Sequence, residues 1–263
     1  EHLDRRDGRG ARDGVSLPGL AVSWTTDVAR SVGLAGSSAL AVAVIDAVAD
    51  DLKRQILNRA FAPGSPLTEA DVASMYDVAR ATAKAAIERL VNEKVLVRKN
   101  HKTARVVNLG PEDVRDIYRT RTYLESEVLR RLASQRHVPE EARQANEEIA
   151  TLWHAGEWDI VEPDMRFHTS LIDALESPRT SSVYGSLAFE VRLCMAQLQG
   201  SQRLSPAIIV AEHARLLELI AAGDADATAA LLDEHLGRAR ERLAEALGGR
   251  SGPEAHLASS ALE

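Results

Sequence analysis

Residues 67–107 constrain this chain more than any other stretch, because signals for helix, tight turn, helix and hairpin follow one another there. Thr68 and Asp71 have the spacing of a capping box, in which each side chain serves the other's backbone N–H at a helix start. Val72, Ala73 and Met75 give that helix an apolar side, and Tyr76-Asp77-Val78 breaks the period and carries the turn. A second helix is expected from about Arg80 to Asn92, with Ala83, Ala86, Ile87 and Leu90 on one side. Its outer side presents Lys84, Ala81, Ala85, Glu88 and Arg89, with Arg80 at the edge. Small residues with a few cations suit a helix that must enter a DNA major groove closely. Val95–Lys99 and Thr103–Val107 are β-prone, and Asn100-His101-Lys102 joins them, which predicts a two-stranded wing with a basic tip.

Charge is distributed to match. Residues 76–110 hold eight Lys/Arg against three acids, in a chain of net charge −7. Residues 111–263 hold 16 basic and 26 acidic residues. A basic island in an acidic protein is the footprint of a phosphate-binding surface, although a solvated helical hairpin with surplus lysines has the same composition.

Length and composition set the frame. At 263 residues the chain can bury two modest cores. Its few aromatics and its Ala- and Leu-rich make-up favour helices. Cys194, in an apolar run, is its single cysteine, so no internal disulfide can form and a reducing, cytoplasmic setting is expected. No apolar segment is long enough to span a bilayer. Residues 1–38 and 249–263 read as disordered tails. Residues 39–110 read as a winged helix-turn-helix, opened by a helix carrying Val44, Ile45, Val48, Leu52, Ile56 and Leu57 on one face. Residues 111–248 read as an antiparallel all-α bundle of about six helices, near 112–136, 139–153, 161–175, 179–199, 206–222 and 224–247.

The bundle carries its own chemistry. Asp164 and His168 are four apart, hence on one helix face, while His213 and His235 lie on two further helices. Three imidazoles and a carboxylate converging there would hold a divalent first-row ion: zinc first, with nickel and manganese open. Each of these histidines by itself is more often an ordinary core or surface residue than a ligand.

The chain resembles the GntR family of bacterial transcription regulators. The residues that carry the resemblance are Pro63-Gly64, Leu67-Thr68-Glu69, Val78-Ala79-Arg80, Lys84, Leu90 and the run from Glu93 to Val97. Three departures stand out. Ala79 replaces a capping serine, Lys84 stands for an arginine, and Lys94 stands for a glycine before the wing. Arg121-Thr122-Tyr123-Leu124-Glu125, Asp164-x-x-Phe167-His168, His213 and His235 are similar to the FCD domain of the FadR-like branch, with Ser177-Pro178 departing from its usual asparagine. The resemblance implies a homodimer that reads a two-fold operator in double-stranded DNA through Arg80, Thr82 and Lys84, with Lys99, His101, Lys102 and Arg105 in the wing. It implies Asp164, His168, His213 and His235 as ligands of a divalent metal that holds a small carboxylate effector. Arg121 could pair with that carboxylate or with Glu125 one turn on, and Arg192 is a second candidate. Derepression on effector binding is the expected outcome. The alternative is a metal-dependent hydrolase on the same Asp/His3 site, with Glu212 or Glu234 as base, because an open coordination position also activates water. No phosphate loop or nucleophile elbow accompanies it.

Overall fold

The computed structural model describes residues 14–17, 20–23, 35–99, 102–154, 160–197 and 205–249. It divides into two compact units, residues 1–107 and 108–263.

In the first unit, β1 (Gly14–Leu17) and β2 (Leu20–Ser23) pair as an antiparallel hairpin. This hairpin falls in the stretch expected to be a disordered tail; the rest of that expectation lies largely outside the described residues. α1 (Ala35–Leu57) begins four residues before the expected start. β3 (Pro66–Leu67), α2 (Glu69–Tyr76), α3 (Arg80–Asn92), β4 (Leu96–Val97) and β5 (Ala104–Val106) follow. The capping box forms: Asp71 N donates to Thr68 Oγ1 (3.1 Å) and Thr68 N to Asp71 Oδ2 (3.3 Å). Asp77 ends α2 in the left-handed conformation (φ 49°), which an Asx side chain tolerates, so the chain can reverse into α3. Ala79 begins α3 without a side-chain cap.

α1 and α2 both pack on α3. Val48, Ala49, Leu52 and Ile56 of α1 are buried, as are Ala83, Ala86, Ile87 and Leu90 of α3. Tyr76 adds a polar tie between α2 and α1, donating to Asp51 Oδ2 at 2.7 Å. The wing is a three-stranded sheet in the order β3-β5-β4, all antiparallel. The third strand, Pro66–Leu67, goes beyond the two expected from sequence.

The second unit is all-helical: α4 (Pro111–Gln135), α5 (Glu140–His154), α6 (Val161–Asp173), α7 (Pro178–Gln197), α8 (Pro206–Ala222) and α9 (Ala225–Ala246). α4 is its spine and packs against α6, α7, α8 and α9. The reason is its sequence: Val114, Ile117, Tyr118, Arg121, Glu125, Val128, Leu129 and Leu132 recur at three and four residues and are all buried. Turn chemistry sets the boundaries. Asp113 Oδ2 accepts from Gly110 N at 2.8 Å to start α4, and Gly223 (φ 83°) ends α8 in a conformation that L side chains rarely adopt. Among the described residues, no helix is long and apolar enough to cross a membrane.

Candidate metal centre and nucleic-acid interface

α6 presents Asp164 and His168 one turn apart, α8 presents His213, and α9 presents His235. All four side chains are buried, and each offers a donor atom within 4.8 Å of the others. Their surroundings orient two of the rings. His168 Nδ1 lies 2.7 Å from Glu125 Oε2, and His235 Nδ1 lies 2.7 Å from Glu212 Oε2. Burial would raise the Glu125 pKa, but the Arg121 guanidinium and His168 outweigh it and hold the carboxyl well below its ordinary value. An ionised carboxylate only accepts, so Nδ1 carries the proton on His168 and Nε2 keeps a lone pair.

His213 has no such partner. Its ring stacks on Phe167 at 3.6 Å between centroids and 3° between planes. Both of its nitrogens, and Nε2 of His168, are buried with no hydrogen-bond partner among the described residues. Burial first, then repulsion from His235, His168 and Arg121, pushes its pKa well below the usual imidazole range, so it is neutral. Asp164 Oδ1 stands 3.6 Å from His213 Nε2, beyond hydrogen-bond distance. Buried nitrogens without partners cost free energy, and here they collect in one place beside a carboxylate. A divalent cation would take His168 Nε2 and one nitrogen of His213, and three imidazoles with one carboxylate match what zinc and its neighbours accept.

A cavity reaches the cluster, and Asp164, His168, His235, Arg121 and Tyr118 are among its lining residues. Of the two readings of Arg121, the pairing with Glu125 is the one observed. Nε donates to Glu125 Oε1 at 2.8 Å, while Nη2 has no hydrogen-bond partner among the described residues and the side chain lines the cavity. Arg192 is not brought to this place: it does not line the cavity, and its Nε donates to Glu162 at 2.9 Å. Arg242, passed over in the sequence, does line it. Also missed were the ring-orienting roles of Glu125 and Glu212 and the part of Tyr184, which donates to Glu125 Oε1 at 2.7 Å. Neither candidate base is available to a hydrolase. Glu212 is engaged by His235 and Arg238, and Glu234 is exposed, about 100° round α9 from His235 and 4.0 Å from Arg238.

In the first unit, Arg80 and Lys84 are exposed on α3, and Thr82 is half-buried. Lys99, Lys102 and Arg105 are exposed at the wing, Arg105 donating to Gly64 O at 2.8 Å. His101 lies outside the described residues. The outer face of α3 is smaller than the sequence suggests. Arg89 turns to Glu93, Asp46 and Asp50 (2.8, 2.6 and 3.1 Å), and Arg98 pairs with Glu88, which leaves the N-terminal half of α3 as its cationic part.

A winged helix-turn-helix followed in the same chain by a helical body with a donor-lined cavity defines a transcription regulator. Residues 44–106 match the family described as bacterial regulatory proteins, gntR family, and residues 116–238 match the FCD domain. The chain belongs to the GntR family, in its FCD-bearing branch, and is a regulator of transcription, not an enzyme. It is 24% identical over 192 residues to the Nta operon transcriptional regulator of Aminobacter aminovorans, covering 72% of this chain and 89% of that one. Its fold is similar to a structural-genomics GntR chain from Rhodococcus sp. RHA1 (TM-score 0.66, 21% identity, 77% of this chain and 98% of that one). It is similar also to McbR/YncC of E. coli (TM-score 0.61, 19% identity, 77% and 97%).

Proposed function

We propose that this regulator is a cytoplasmic homodimeric repressor whose hold on a two-fold symmetric operator is controlled by a small carboxylate bound at a divalent metal. The observation that carries the reading is the group of partnerless nitrogens on His168 and His213, gathered with Asp164 and His235 around one point. Those four residues would hold the ion, zinc being the first choice for the donor set. When bound, such an ion supplies positive charge and a coordination position that a carboxylate oxygen can take. Glu125 and Glu212 hold the His168 and His235 rings in the tautomer that presents Nε2. Arg121 offers its unpartnered Nη2 to the ligand's second oxygen.

At the other end of the chain, Arg80, Thr82 and Lys84 meet base edges or phosphates, and Lys99, His101, Lys102 and Arg105 serve the wing. The carboxylate changes operator affinity by no more than its differential affinity for the DNA-competent and DNA-incompetent arrangements. Gel-shift titration with a duplex from upstream of the protein's own gene tests this. Selective binding should survive competitor DNA, and Lys84→Ala should weaken it about tenfold or more, in the range of one lost base or phosphate contact. Binding that is non-specific and erased by moderate salt would overturn the reading.

A further inference from the structure

The cavity beside the donor cluster has one charged end and an apolar body. Asp164, His168, His235 and Arg121 make the charged end. Beyond it the lining is Ile160, Val161, Met195, Ile209 and Leu243, with the Tyr118 phenol as the uncharged polar side chain there. Arg242 also lines the cavity and is exposed, whereas Arg121 is buried. Seven residues of α9 separate His235 from Arg242. That is close to two full turns, so both lie on one face, about 10 Å apart along the axis. The second guanidinium therefore belongs to the outer end of the cavity.

Size narrows the ligand further. The space open to the centres of water molecules is about 60 Å³. At roughly 10–15 Å³ per water, that is room for about four to six waters. Close packing of ligand atoms in that space accommodates an acid of roughly four to six carbons. Hydroxyls carried further along such an acid than the carbon next to its carboxylate would face hydrocarbon side chains, and each polar group buried without a partner weakens binding.

We propose that the effector is a small monocarboxylic acid with a hydrocarbon body. Its carboxylate lies at the metal and Arg121, and its chain lies against Ile160, Val161, Ile209 and Leu243. This specificity rests on the metal-and-carboxylate reading above. The apolar wall disfavours sugar acids, short diacids and acids hydroxylated along their chain, and a longer diacid would have to span to Arg242.

Calorimetric titration of the full-length zinc-loaded protein tests it, with zinc counted first in the same sample. The acids are acetate, butanoate and hexanoate, set against malate, succinate, gluconate and adipate. Affinity should rise about three- to fourfold per methylene from acetate to hexanoate, and hexanoate should bind at least tenfold tighter than any of the polar acids. Ile209→Asn should flatten the chain-length dependence while zinc remains at one ion per chain. Met195→Gln, closer in shape, repeats the test if Ile209→Asn loses helicity. Tighter binding of malate, succinate, gluconate or adipate overturns the proposal, as does no acid binding at all, or a chain-length dependence unchanged in the folded variant. A sample that retains zinc but prefers malate ends this inference alone; a sample that retains no zinc ends the metal reading beneath it.

Discussion

Glu125 accepts from Arg121, Tyr184 and His168 while itself buried, so one carboxylate joins a cavity cation to a candidate ligand ring. Its removal leaves the Arg121 cation buried without a counter-charge. Glu125→Gln should therefore destabilise the metal-free protein by about 3–5 kcal/mol in urea unfolding. It should also weaken metal binding about 10–100-fold, because the amide has one acceptor oxygen for the three donors that Glu125 serves, and its NH2 competes to face His168. A variant within 1 kcal/mol of the parent and with unchanged metal affinity would show that Glu125 carries neither role. Cys194 offers a simpler check. Burial first, with help from Glu190 and Asp113, pushes its thiol up to about 12. It should resist alkylation by iodoacetamide at pH 8 in the folded protein and react fully in denaturant. Rapid labelling without denaturant would mean that this part of α7 opens to solvent.

At the scale of elements, the first unit depends on ties between α1 and α3. Glu93 is the meeting point, receiving Arg89 and Lys53. Burial acts to raise its pKa, but those two cations win and the value is lowered. A carboxyl depressed by folding stabilises the folded state above its ordinary pKa, near 4.5, and loses that contribution as pH falls through the lower folded value. Acid unfolding of this unit should thus steepen below about pH 4.5, and Glu93→Gln should remove part of that slope in a pH titration followed by circular dichroism. An unchanged slope would assign the acid sensitivity elsewhere. Ala79 is the weak point of the same region, because α3 starts without a side-chain cap. Ala79→Ser should add about 0.5–2 kcal/mol of stability; a loss would mean that the extended backbone at Ala79 does not present a cap.

These elements also show what a sequence can convey. α3 and α8 have the expected bounds because their limits are local: Pro206 and Gly223 mark α8 by themselves, and the apolar period marks α3. Two-residue β3 was invisible because a strand that short has no periodicity. The sequence puts Arg89 on the outer face because Asp46 and Asp50, which turn it toward α1, lie 43 and 39 residues away. The four cluster residues were legible as residue types, and a family resemblance joined them. Glu125 and Glu212 were not, since the histidines they orient are 43 and 23 positions distant.

At the scale of the whole molecule, the proposed ion would stabilise the helical body that the DNA-binding unit shares a chain with. Anything that binds the folded state and not the unfolded one raises stability by mass action, about 2.7 kcal/mol at a hundredfold excess over Kd. Zinc added to chelator-treated protein should accordingly raise Tm by roughly 5–10 °C for a protein of this size, with no shift in a His213→Ala variant. The most direct measurement is elemental analysis of protein purified without chelator, parent and His213→Ala side by side. One divalent ion per chain in the parent and none in the variant is the predicted result; a folded parent that carries no ion, or a variant that keeps it, would contradict the claim.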